Sequence, residues 1–150
     1  VGSLVSRIAA DGATHWVTAT SAPCLSIFKP VWIDSGLPEK IIGHPQGKFD
    51  GSTLFWKHEI FHREVLKNYS ERSRVFLVER NEIEDEFLRQ ELEYRSKNAK
   101  ERAAFTEQCF QKSQAAEQHW SSKVVNIPEK RLDLLYKLAW NGFNREAGLV

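Results

Sequence analysis

The chain has 150 residues, 41% of them hydrophobic and 27% charged, which is enough for one globular domain with its own core. Its 21 basic and 20 acidic side chains leave a net charge of +1, which excludes the electrostatic footprint of a nucleic-acid or anionic-membrane binder. No apolar run is long enough to span a membrane and no signal peptide is visible, so no membrane partner is expected.

Residues 1–10 alternate weakly, and Asp11-Gly12 separates them from a clearer alternation over Ala13 to Ala19. Asp-Gly between two such runs predicts a type I′ hairpin over residues 1–21, because that turn needs positive φ at both centres. Within it, Leu4, Ile8 and Trp16 are expected on one face, and Val5, Ala9 and Val17 on the other. Pro23 cannot donate to a ladder, so the second strand should end near Ser21 or Ala22. Two strands do not make a stable sheet, and a pair apolar on both faces asks for cover above and below. Further strands are therefore expected from elsewhere.

After the hairpin, Thr18, Thr20, Ser21, Cys24 and Ser26 crowd a turn that re-enters apolar sequence at Ile27-Phe28. Such a segment reads either as the wall of a binding cleft or as a plain crossover beneath a core. Cys24 follows a proline in mid-chain without an evident activating base. It reads as a buried or half-buried free thiol, not a nucleophile. With Cys109 it makes two cysteines, too few for a disulfide framework, which points to a reducing compartment such as the cytoplasm. Lys29 can meet a substrate carboxylate or simply reach solvent.

Pro30, Gly36, Pro38, Gly43, Pro45, Gly47 and Gly51 mark residues 29–53 as a long irregular loop. From Leu54 the period changes to that of a helix, capped by Asp50 or Ser52. Residues 70–95 continue with Phe76, Ile83, Phe87 and Tyr94, while Glu79, Glu82, Glu84, Asp85 and Glu86 read as a solvated face. Phe105, Cys109, Ala116 and Trp120 form the next stripe. Asn126-Ile-Pro128 then opens a last helix burying Leu132, Leu135, Leu138, Ala139 and Phe143.

His58-Glu-Ile-Phe-His62 has the spacing of a zinc peptidase helix. Lys57 and Arg63 place two cations beside any bound dication, so a structural helix is expected and no metal. The tryptophans read mainly as core anchors, with Trp32 or Trp56 as alternative substrate-lining groups. No phosphate loop and no nucleophile elbow is present, and no cofactor is expected.

Three stretches resemble the secernin and bacterial dipeptidase family of N-terminal nucleophile (Ntn) cysteine hydrolases. They are Gly2-Ser-Leu-Val-Ser6, Thr20-Ser-Ala-Pro-Cys-Leu-Ser-Ile-Phe-Lys-Pro30 and Leu54-Phe-Trp-Lys-His-Glu-Ile-Phe-His-Arg63. The resemblance implies an α+β chain forming part of an αββα sandwich, a β-hairpin followed by a helical layer. Residues 1–33 would supply strands and cleft turn, 34–53 a loop, and 54–150 the helices. The family's nucleophile is an N-terminal cysteine, whereas this chain begins at Val1 and contains no Met. It is therefore expected to be the C-terminal portion of such an enzyme, inactive alone and partnered by the N-terminal part of the same fold. Thr20 and Ser21 are the expected contacts to a peptide or amide substrate. A non-catalytic helical interaction module of secernin type is the alternative.

Overall fold

The computed structural model describes residues 2–149, so the outer limits of the expected segments, Val1 and Val150, lie outside it. Its class is α+β, with three antiparallel strands in the order β1-β2-β3 and a layer of helices. The strands are β1 (Leu4–Ala9), β2 (Gly12–Val17) and β3 (Lys29–Val31). The helices are α1 (Glu39–Ile42), α2 (Leu54–Leu66), α3 (Tyr69–Arg72), α4 (Leu77–Tyr94), α5 (Ala99–Val124) and α6 (Leu134–Ala147). None of them is long and apolar enough to cross a membrane.

The hairpin forms, with a register that differs from the expected one. Ala9 pairs with Gly12, so the loop centres are Ala10 and Asp11, and neither has positive φ. The unusual backbone falls instead on Gly12 (φ 121°), which lacks the Cβ that would resist it. This register pairs Leu4 with Val17, Val5 with Trp16 and Ile8 with Ala13. Leu4 and Ile8 therefore share Val17's face, while Val5 shares Trp16's. Alternation within one strand says nothing about its phase against the next; the turn decides that. Leu4, Val5 and Ile8 are all exposed.

The expected loop over 29–53 is only partly irregular. Lys29–Val31 pairs with β2 as a third strand, a single 3-10 turn follows at Ile33–Ser35, and α1 occupies Glu39–Ile42. Pro30 fits because β3 is an edge strand, where a missing N–H costs little. Helix α5 covers that edge, and the Thr106 hydroxyl donates to the Pro30 carbonyl at 2.9 Å. Thr53, not Asp50 or Ser52, caps α2 by accepting from the Trp56 N–H; Asp50 turns back onto the Ser52 N–H at 2.9 Å.

Helices α4 and α5 form an antiparallel pair, shown by Tyr94 stacked on Phe105 at 4.1 Å and Trp120 donating to Glu79 at 2.9 Å. Asn98 and Glu101 close a reciprocal capping box at the start of α5, as its sequence invites. The core joins Trp16, Leu25, Ile27 and Trp32 to Phe61, Phe76, Phe87, Phe105 and Trp120. Phe76 stacks on Trp120 at 5.2 Å and meets Phe61 edge-on at 5.0 Å. The expected stripes of α4 and α5 are buried here, except that Tyr94 and Ala116 are only partly so.

Two expectations about these helices fail. The acidic face of α4 is not simply solvated: Glu79 takes the Trp120 indole, and Glu84 accepts from the Phe28 N–H at 2.8 Å. Helix α6 starts at Leu134 behind an Asp133 cap, not at Pro128. Its Leu135, Leu138, Ala139 and Phe143 are exposed, and only Ala147 is buried. A helical stripe shows that a helix has an apolar side; whether a surface exists to cover it is decided elsewhere.

Arg72 is the strongest polar fastener of the helical layer. It is 2% exposed, gives Nε and Nη2 to the Ile127 carbonyl at 3.1 and 2.6 Å, and pairs with Glu64 at 3.1 Å. Arg72→Met would strand the Ile127 carbonyl, while Glu64 keeps its ion pair with Lys67 at 2.7 Å, and should lower stability by about 2–3 kcal/mol in urea denaturation. A loss under about 1 kcal/mol would mean that water replaces the guanidinium.

Candidate functional site

The segment from Thr18 to Phe28, between β2 and β3, is the candidate site. Ladder pairing stops at Val17, earlier than Pro23 alone requires, yet the alternation of burial continues. Thr14, Trp16, Thr18 and Thr20 are all buried. The Thr18 N–H still donates to the Ser3 carbonyl at 3.1 Å, while its own carbonyl turns to a side chain, that of Lys29. Lys29 is 2% exposed, and its Nζ donates to the Thr18 and Ile27 carbonyls, each at 2.7 Å. The ammonium thus joins the two ends of the segment and lies 5.1 Å over the Phe110 ring. Burial pushes the Lys29 ammonium down to about 8, although the Glu117 and Glu84 carboxylates favour its charge. It neither reaches solvent nor waits for a substrate carboxylate, so both readings of Lys29 are corrected.

Inside this closure the backbone is strained. Ala19 (φ 57°) and Ala22 (φ 44°) are the only non-glycine residues with positive φ among the described residues, and they bracket Thr20 and Ser21. Each such position costs on the order of 1 kcal/mol. The two expected contact residues part company between them. Thr20, 3% exposed, turns inward and donates to the Ser26 hydroxyl at 2.8 Å. It borders a hollow of about 10 Å³, shared with Ser113, Gln114 and Glu117, with room for about one water. Ser21 turns toward α2, where its hydroxyl donates to Glu59. Both hydroxyls are therefore engaged internally. Among the described residues, neither the Ser21 nor the Ala22 backbone N–H donates a hydrogen bond.

Glu59 is the partner that the spacing of α2 did not single out. Besides Ser21, it accepts from Arg63 Nε at 3.0 Å and lies 3.4 Å from His62 Nδ1. Burial opposes its charge, but the hydrogen bonds of His62 and Ser21 and the charges of His62 and Arg63 prevail, holding its carboxyl at about 2. Arg63 carries the chain onward: it donates to Asn144 of α6 and lies 5.2 Å over the Trp140 ring. The two histidines of the zinc-like motif are drawn apart by different carboxylates. His58 is completely buried and contacts Glu117 of α5 at 2.5 Å, while His62 faces Glu59 and Trp140. No group of three or more His, Cys, Asp or Glu residues suited to a metal ion occurs among the described residues.

Cys24 is exposed, against the expectation of burial, and its carbonyl accepts from Arg80 at 2.6 Å. Cys109 is buried, and desolvation pushes its thiol up to about 12. Trp32 packs 6.4 Å from Phe105, and Trp56 donates to the Gln46 carbonyl at 3.0 Å; both are buried.

Lys29→Ala should be among the most damaging single changes, since it strands two buried carbonyls and releases the strained turn. A loss of about 3 kcal/mol is expected in urea denaturation. A loss under about 1 kcal/mol would mean that the turn holds itself.

Glu59 makes stability depend on pH. Its folded pKa lies below its unfolded value, so the folded state binds fewer protons in acid, and the Glu59 contribution is complete above about pH 4.5. That contribution should fade as pH falls from about 4.5 toward 2, and Glu59→Gln should flatten the profile in that window. Equal slopes for the two proteins would refute the assignment.

No family model matches this chain, and comparison with curated proteins and with solved structures finds no significant match.

Proposed function

We infer that the chain forms one wall of the cleft of an Ntn cysteine hydrolase acting on peptide or amide bonds, with the nucleophile lying outside this chain. One observation carries this reading: two strained alanines hold Ser21 in a turn where the Ser21 and Ala22 N–H groups find no acceptor among the described residues. Strain of this kind persists where the surroundings hold it in place, and it gathers at sites where backbone donors are aimed at a ligand. The exposed Leu4, Val5 and Ile8 of β1 support the second half of the reading, as a surface for the N-terminal part of the same fold to cover. The free thiols of Cys24 and Cys109 suit a cytoplasmic setting.

In this reading a cysteine thiolate attacks the scissile carbonyl carbon, forming a C–S bond, and its α-amino group takes the thiol proton. The Ser21 and Ala22 N–H groups meet the negative charge that develops on the carbonyl oxygen. The amine leaves with the proton returned from the α-amino group, and water hydrolyses the thioester. Thr20 and Ser21 act through their hydroxyls by fixing the turn, Thr20 on Ser26 and Ser21 on Glu59.

A non-catalytic interaction module is the second reading, favoured by the exposed Leu134, Leu135, Leu138 and Phe143 of α6. Dipeptide hydrolysis separates the two. The protein joined to its N-terminal part should hydrolyse dipeptides, and the isolated 150-residue chain should not. Ser21→Ala in the joined protein should lower kcat by about tenfold or more with little change in KM. Absence of hydrolysis in the joined protein favours the interaction module. Hydrolysis by the isolated chain, abolished in Cys24→Ala, would overturn the hydrolase reading as stated.

A further inference from the structure

Beside α2 lies an open cavity of about 470 Å³, bordered by Lys57 and Ile60 of α2, by α5, and by Phe49 and Gly51 of the preceding loop. Its volume falls in the range of small-molecule sites. What distinguishes it is a set of unmatched polar groups of both signs. Gln114 brings Nε2, a buried donor with no hydrogen-bond partner among the described residues. Lys57, exposed at the rim, makes no ion pair among the described residues. Glu117 brings a carboxylate that is only half used. His58 Nδ1 holds its Oε2 at 2.5 Å, and Oε1 accepts nothing among the described residues. The fully buried His58 thus fixes the Glu117 carboxylate at the cavity wall, as a supporting group fixes a ligand contact. Ser121 has spent its proton on the Glu117 carbonyl at 2.8 Å and can only accept. Phe49 and Ile60 form the apolar part of the lining.

We propose that this cavity binds a small zwitterion, a free α-amino acid with an apolar side chain. A simple carboxylate would satisfy Lys57 and Gln114 and leave Glu117 facing the ligand unmatched. A simple amine would do the reverse. A ligand carrying both charges satisfies all three groups: its ammonium on Glu117, its carboxylate on Lys57 and the Gln114 amide, and its side chain against Phe49 and Ile60. Gln114 and Glu117 also border the small hollow beside Thr20, but the proposal needs no step of the hydrolase reading and is tested without hydrolysis.

The test is titration of the 150-residue chain with L-leucine, followed by NMR of the side-chain amides and backbone. N-acetyl-leucine, which lacks the ammonium, and leucine methyl ester, which lacks the carboxylate, serve as controls. Leucine should give saturable shifts at Gln114 and along the facing turns of α2 and α5, and each control should bind at least about tenfold more weakly. Lys57→Met, a change at an exposed site that leaves folding intact, should erase the difference between leucine and its methyl ester. Glu117→Gln should erase the difference between leucine and its N-acetyl derivative. Absence of saturable shifts below about 10 mM leucine, or equal binding of all three compounds, would overturn the proposal.

Discussion

The structure turns on one buried ammonium. Lys29 leaves water to bridge the Thr18 and Ile27 carbonyls, an arrangement that is favourable only because both acceptors would otherwise be buried without donors. The Phe110 ring and the charges of Glu117 and Glu84 offset part of the desolvation. By joining the two ends of an eleven-residue excursion, the ammonium brings β3 alongside β2 and sets the strained turn between them. Helix α5 then seals the new sheet edge through Thr106.

The remaining polar groups follow the same logic at lower cost. Carboxylates on the helices repeatedly take up donors from the sheet, its loops and a neighbouring helix. Glu91 receives Thr14, Glu84 the Phe28 N–H, Glu59 Ser21, and Glu79 the Trp120 indole. Each contact fixes the angle and depth at which an amphipathic helix lies on its neighbours, which apolar packing alone leaves loose. The Glu59–Arg63–Asn144 line extends this to α6, whose own apolar side is otherwise open to solvent. That helix is held by the Arg63 guanidinium, by Trp140 and by the Phe49 N–H on the Ala147 carbonyl at 2.8 Å.

The geometry of the candidate segment was legible in part. The crowding of Thr18, Thr20, Ser21 and Ser26 drew attention to the segment whose backbone proves strained, and alternation placed Thr18 and Thr20 on the face of Trp16, which the structure buries. The separation of Thr20 from Ser21 was not legible, because it follows from φ values at Ala19 and Ala22 that no alanine advertises. Nor was Glu59 legible as the receiver of Ser21: a glutamate between two histidines and an arginine reads equally well as a surface pair. The cavity beside α2 assembles residues more than fifty positions apart, from Lys57 to Gln114 and Ser121, and leaves no local signature.

By itself, the sequence determined the succession of local structures: a hairpin around Asp11-Gly12, then helices from Leu54 onward with buried stripes at Phe87, Phe105 and Trp120. These follow from period, turn chemistry and capping, which act within a few residues. Tertiary structure decided what depends on distant partners. It made a strand of Lys-Pro-Val and set the hairpin so that Val5, not Leu4, lies beside Trp16. It exposed the stripe of α6 and withdrew Lys29 from water. Each of these turns on whether a complementary surface or an unsatisfied carbonyl lies opposite, and periodicity within a segment carries no information about what it will face.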